Sequence, residues 1–220
     1  MTRRARGDGP IVLAGPTGVG KTTVARALAT DRDRFVFSVS ATTRRPRPGE
    51  RDGADYEFVS REEFERMVDA GEFAEWARVH DRMYGTPLRN LAGGDGRRVL
   101  LDIDVQGAAQ VRENVPSAVF VFLLPPSLGT LLARLSGRGT EPRDEVARRL
   151  RVARDELARV PEFDHVLVND ELDATVAAVR AIARGGGSAA GSLRAARGTA
   201  ESLRRGIATL LARDLDILSE

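Results

Sequence analysis

The chain of 220 residues contains no cysteine, which excludes a disulfide framework and any cysteine-held zinc. Histidine is nearly as scarce: His80 and His165 stand far apart without metal-ligand spacing, so each reads as structural rather than catalytic. No strong excess of either charge exists, since the formal net charge is +2 and no long cationic stretch stands out. That argues against nucleic acid as the main partner. Long hydrophobic runs are also missing; the longest, Ala118 to Leu124, is far too short to span a bilayer. The first nine residues are arginine-rich but lack an apolar core of the secretory type, so residues 1–9 read as a flexible tail. A cytoplasmic protein with no membrane attachment is expected. Apolar content of 42% and charged content of 30% are those of an ordinary globular protein, and the length suits one well-buried domain.

Lysine is the most telling scarcity. Of 34 basic residues one is lysine, and it lies in Gly15-Pro16-Thr17-Gly18-Val19-Gly20-Lys21-Thr22. Arginine is a wide planar fork, whereas lysine is a compact point charge on a flexible stem. A glycine loop folded around phosphates has room for the second and not the first. The octet fits G-x-x-x-x-G-K-[ST], the phosphate-binding P-loop. A short apolar run, Pro10 to Ala14, precedes it, and a helix-like segment, Thr22 to Ala29, follows. Strand, glycine loop, helix is the context the motif requires. Glycines let successive N–H groups turn inward, and the helix N-terminus adds partial positive charge. Lys21 is placed to reach the β- and γ-phosphates, and the Thr22 hydroxyl to ligate Mg²⁺.

Apolar strands are expected at 35–38, 98–102, 118–124 and 165–168, with helices at 106–114, 127–136, 142–160 and 172–184. Near-continuous apolar strands alternating with helices signal an α/β fold with a parallel sheet. Residues 40–94 break that rhythm, being rich in Arg, Pro, Gly and Glu, and read as an inserted lobe. A Gly, Ser and Ala run at 185–192 reads as a linker. Beyond it, Leu193, Ala200, Leu203, Ile207, Leu210, Leu211, Leu215 and Leu218 recur at three- and four-residue spacing, predicting an amphipathic helix over 193–220. Its apolar stripe needs a partner: either this chain's own core or a second copy, giving a homodimer.

Asp102 ends the apolar strand Val99-Leu100-Leu101, a position that in P-loop enzymes holds the metal through water. Asp104 follows two residues on. The stretch Ser40-Ala41-Thr42-Thr43-Arg44-Arg45-Pro46-Arg47 clusters hydroxyls and guanidinium forks, as a second phosphate site would. Glu75 lies within Phe73-Ala74-Glu75-Trp76, and Tyr84-Gly85-Thr86 comes soon after. The arginine-glycine run Arg134 to Glu141 would make a mobile lid, expected at about 137–148.

Taken together, these motifs resemble guanylate kinases, the P-loop nucleoside monophosphate kinases, over Gly9 to about Arg184. The pieces occur in order: Ser-Val-Ser-Ala-Thr-Thr-Arg-Arg-Pro-Arg, Gly-Glu-Arg-Asp-Gly-Ala-Asp-Tyr, Glu-Trp-Ala, Tyr-Gly-Thr, Leu-Asp-Ile-Asp-Val-Gln-Gly, Leu-Pro-Pro-Ser, Gly-Arg-Gly-Thr and Val-Asn-Asp. The resemblance implies a three-layer P-loop fold with a GMP-binding insertion, a lid at 137–148 and, in this chain, an appended helix. It implies that Ser40, Arg44, Arg47, Tyr56 and Tyr84 hold the GMP phosphate, and that Glu75, Thr86 and Asp104 line the guanine site. It implies ATP contacts from Gly15, Pro16, Thr17, Gly18, Val19, Gly20, Lys21, Thr22 and Thr23, with Asn169 near the adenine. Arg134, Arg138 and Arg149 belong to the lid by the same token, and with Lys21 and Arg44 they form the catalytic set. Mg²⁺ would be held by Thr22 and, through water, Asp102. Chemistry supports the base assignment independently, because guanine offers N1–H and N2–H₂ as adjacent donors to one carboxylate.

Asp81-Arg82-Met83 departs from the family's usual small polar stretch, and Thr17 stands where serine is common. The expected reaction is Mg-dependent transfer of the ATP γ-phosphoryl group to GMP or dGMP. Two other readings remain. A non-catalytic guanylate-kinase-like interaction module would typically lack a working P-loop. A kinase for a ribose bisphosphate would have no use for Glu75 and Thr86.

Overall fold

The computed structural model describes residues 9–92, 96–136, 142–187 and 190–217. Arg138 and residues 137–141 of the expected lid lie outside the described residues, as do the tail 1–8 and Leu218. The strands are β1 (Ile11–Ala14), β2 (Phe35–Phe37), β3 (Ala41–Thr42), β4 (Glu57–Phe58), β5 (Phe73–Val79), β6 (Arg82–Pro87), β7 (Arg98–Asp102), β8 (Val119–Leu124) and β9 (His165–Val168). The helices are α1 (Lys21–Ala29), α2 (Arg61–Asp69), α3 (Val105–Asn114), α4 (Leu128–Leu135), α5 (Arg143–Ala158), α6 (Leu172–Ala183) and α7 (Ala190–Ile217). Five strands form the core sheet in the order β2-β7-β1-β8-β9, and its β2/β7 and β8/β9 pairs are parallel. The chain divides into two units, Met1–Val12 with Ala29–Val119, and Leu13–Leu28 with Phe120–Glu220.

The first unit holds β2, β7, α3 and a second sheet in the order β4-β3-β6-β5. That second sheet falls inside the stretch expected as an insertion. Its small core is Ala41, Phe64, Met67, Phe73 and Met83, with Phe64 and Phe73 stacked at 4.5 Å between ring centroids. Burying side chains of this size stabilises by about 1.5–3 kcal/mol each. α2 starts where Ser60 caps it, the hydroxyl accepting from the Glu63 N–H at 3.1 Å, and Glu62 and Glu63 complement the helix dipole. β5 and β6 form a hairpin whose two-residue turn, His80-Asp81, puts His80 in the left-handed region at φ 54°. The histidine is exposed there and serves the turn.

The second unit holds α1, β8, α4, α5, β9, α6 and α7. β8 is buried over almost its whole length, as its continuous apolar sequence requires, and Phe122 meets Phe163 edge-on at 4.9 Å. His165 in β9 is half-buried, and burial pushes its pKa down.

α7 begins at Ala190, so residues 190–192, expected as linker, are already helical. Alanine favours helix, and the cost of Gly191, about 1 kcal/mol, is offset by the packing that anchors the turns that follow. Ala196, Ala200, Leu203, Ile207 and Leu211 of α7 are buried, a stripe at helical spacing. They pack in cis, chiefly against α5 and also against β9 and α4. Over its described side chains the apolar stripe is therefore covered by its own chain.

Candidate active site

β1, whose last two residues open the second unit, is fully buried and delivers the chain into the loop 15–20. Three loop glycines take left-handed φ values, 145° at Gly15, 81° at Gly18 and 99° at Gly20, which side-chain-bearing residues rarely adopt. The loop closes with Val19 N–H on Pro16 O at 3.1 Å, and α1 starts at Lys21. Lys21 Nζ curls back over the loop, donating to Gly15 O at 2.8 Å and Pro16 O at 3.4 Å. The Val19 carbonyl is a junction: it accepts from Arg134 at 3.0 Å and from Asn169 Nδ2 at 2.7 Å. Asn169 is buried, and its own N–H continues β9 onto Leu124 O at 2.7 Å. Asn169, expected near the adenine, thus braces the phosphate loop with its amide.

Arg149 donates to Leu135 O at 3.0 Å, at the end of α4, and to Glu145 at 3.2 Å. Bonds from Arg148 and then Arg149 hold the Glu145 carboxyl down to about 2. Arg134, from the last turn of α4, and Arg149, from α5, thus both reach the structure around that helix end. Arg138 cannot be added to them, lying outside the described residues. Thr17, Thr22 and Thr23 are exposed on the loop and the first turn of α1.

In the first unit, the β5/β6 register sets Glu75 opposite Thr86. Both are buried, and the Thr86 hydroxyl donates to Glu75 Oε1 at 2.6 Å. One hydroxyl hydrogen serves one acceptor, so any bond from Thr86 to another acceptor would have to replace this one. Burial pushes the Glu75 carboxyl above its ordinary value; the Thr86 bond opposes this and the charge of Asp104 adds to it. Asp104 Oδ1 caps α3, accepting from Gln106 N–H at 2.9 Å and Gly107 N–H at 2.8 Å. Gly107 matters sterically, because a methyl group there would stand 3.2 Å from Glu75 Oε2.

Beside this pair lies an arginine–tyrosine cluster. The Arg44 guanidinium sits 5.3 Å from the Tyr56 ring and 5.7 Å from Phe58, and Tyr56 meets Tyr84 edge-on at 6.3 Å. Arg44 grips Glu50 with two bonds of 2.9 Å, and Glu50 Oε2 also accepts the Arg47 N–H at 2.7 Å. Those bonds, Arg44 first and then Arg47, hold the Glu50 carboxyl below the usual carboxylate range. Ser40 lies at the start of β3, where its carbonyl accepts from Glu57 N–H at 2.9 Å. Sequence reasoning missed Glu50, although it stands inside a quoted motif; a lone acid amid arginines was the available signal.

A protein-family model described as guanylate kinase matches residues 7–184. The chain belongs to the guanylate kinase family. A guanylate kinase of Nocardia farcinica is 51% identical over 78% of this chain and 91% of its own length. One of Corynebacterium jeikeium is 49% identical over 79% of this chain and 95% of its own. A crystal structure of guanylate kinase from Anaplasma phagocytophilum superposes with a TM-score of 0.62 at 35% identity, covering 82% of this chain and 87% of that one. Neither an inactive module nor a ribose bisphosphate kinase is favoured by guanylate kinase relatives of this identity. α7 lies wholly beyond the residues that the guanylate kinase model matches.

The Thr22 hydroxyl in α1 and the Asp102 carboxylate at the end of β7 are hard oxygen ligands suited to Mg²⁺. Among the described residues no group of three or more acidic, histidine or cysteine side chains could hold a metal. No described helix is long and apolar enough to cross a membrane.

Proposed function

We propose that the chain is an ATP:GMP phosphotransferase of purine nucleotide metabolism, acting in the cytoplasm and yielding ADP and GDP. Residues 10–184 form the catalytic domain, with the acceptor site in the insertion 40–94 and a lid at 137–148. A phosphate oxygen of GMP or dGMP attacks the γ-phosphorus of ATP, the bond to the β-phosphate oxygen breaks, and ADP leaves. No general base is required, because the acceptor phosphate is already anionic. Lys21 exchanges its loop carbonyls for the β- and γ-phosphates, as its short reach to Gly15 O allows. Arg134, Arg138 and Arg149 carry the positive charge that offsets the transferring group. Arg44, Arg47, Ser40, Tyr56 and Tyr84 hold the acceptor phosphate. Mg²⁺ supplies charge neutralisation on the triphosphate when bound, with Thr22 and Asp102 as its protein-side contacts.

The buried pairing of Glu75 with Thr86 carries the assignment of the base. An ionised carboxylate there accepts N1–H and N2–H₂ of guanine, whereas adenine would present a lone pair at N1 and leave the acid unpaired. Sites of this kind reject the wrong partner by roughly 10⁴. The deciding assay measures ADP formation from Mg·ATP with GMP, AMP, UMP, dTMP or ribose bisphosphate as acceptor. Turnover with GMP alone, lost in Glu75→Ala, is the expected result; binding of ATP without turnover on any acceptor would refute it. Sedimentation should give one chain in solution, because the α7 stripe is already buried at Leu203, Ile207 and Leu211.

A further inference from the structure

β5, which carries Glu75, is the outer strand of its sheet. Its backbone groups that point away from β6 would have no strand to pair with. α3 supplies the missing partner with side-chain amides. Gln110 Oε1 accepts the Trp76 N–H at 3.1 Å, and Gln110 Nε2 donates to the Trp76 carbonyl at 3.0 Å. One turn on, Asn114 Nδ2 donates to the Ala74 carbonyl at 3.0 Å. The two residues gripped are the immediate neighbours of Glu75. Gln110 thus imitates a strand residue, exchanging both bonds with a single residue of the edge.

Gly107, Gln110 and Asn114 follow one another at helical spacing, and α3 is capped by Asp104. One face of α3 therefore meets β5 before, at and after the carboxylate. A displacement of about 1 Å at a reacting or binding group can cost 10²-fold, so the grip has leverage.

We propose, resting on the base-reading role given to Glu75 above, that Gln110 and Asn114 are positioning residues that hold β5 in register and so aim Glu75 at the 2-amino edge of guanine. Gly107 is the third member: it leaves room for Oε2, which a methyl group would crowd at 3.2 Å.

The test compares GMP with IMP, whose base keeps O6 and N1–H but lacks the 2-amino group. Gln110→Met keeps length and bulk while deleting both bonds to Trp76. In this variant kcat/KM for GMP should fall about tenfold through KM, with kcat and the KM for ATP within about twofold. The preference for GMP over IMP should shrink by about the same tenfold, and Asn114→Ala should show a smaller effect of the same kind. Gly107→Ala should also shrink that preference. An unchanged GMP-over-IMP preference in Gln110→Met, or an equal loss for both nucleotides with a lowered melting temperature, would overturn the positioning role. Glu75→Gln is the control: if it abolishes the preference while Gln110→Met does not, only the positioning role falls. Should Glu75→Gln itself leave the preference intact, the base-reading role falls and the positioning role with it.

Discussion

The loop 15–20 and the Glu75–Thr86 pair, proposed above to hold nucleotides, are built of opposite materials. Around the loop, side chains bond to main chain: Lys21 to Gly15 O, Arg134 and Asn169 to Val19 O. In the pocket, side chains bond to side chains: Thr86 to Glu75, Arg44 to Glu50, with Tyr56 against Tyr84. A phosphate presents equivalent oxygens from every side, so a curl of backbone dipoles suffices. A base must be told from three others, which takes a particular donor and acceptor pattern. Backbone geometry is disturbed by adding an atom; a side-chain pattern is disturbed by exchanging one of equal size.

Glu75→Gln should produce the largest effect, because it alters a pattern without altering a shape. The amide turns a donor toward guanine N1–H, and kcat/KM for GMP should fall by about 10²–10³ while the KM for ATP is retained. Stability should move the other way. A raised carboxyl pKa in the folded state means that stability is lost as pH rises from the ordinary carboxylate range through that raised value. Near neutral pH the Gln variant should therefore melt higher than the parent in a thermal scan. The parent's kcat/KM for GMP should rise over that same pH window, since only the ionised form accepts both guanine donors. A flat acid limb would contradict this.

Gly20→Ala comes next and attacks the other half. Its methyl group would lie 2.7 Å from Asn169 Nδ2 and the residue would have to keep φ 99°. Strain of about 1–3 kcal/mol should appear as a roughly tenfold to hundredfold loss in ATP use, with the KM for GMP nearly unchanged. An equal rise in both KM values would erase the distinction between the halves. Smallest is Glu50→Gln, which weakens the grip on Arg44 and on the Arg47 N–H. The KM for GMP should rise about threefold to tenfold, because a part-exposed ion pair is worth little by itself.

Legibility in the sequence follows the same division. A loop made of consecutive residues prints its chemistry as a motif, so Gly15 to Thr22 and the strand before it were readable directly. Glu75 and Thr86 meet only because the hairpin register sets them opposite, and family resemblance rather than spacing singled them out. Gln110 and Asn114 gave no signal at all. An amide on a helix looks like ordinary surface until it is known which strand forms the edge of the neighbouring sheet. Likewise Ala196 of α7 went unnoticed as core, alanine being equally at home on either face of a helix.

Because α7 seats Leu203, Ile207 and Leu211 against its own unit, the family's boundary at residue 184 is not where folding stops. A chain trimmed to that boundary would bare the parts of α5 and β9 that α7 now covers. Newly exposed apolar surface of this kind drives association with other molecules. The shortened protein should thus be the stickier one, and anyone borrowing this enzyme as a catalytic module should take the whole chain.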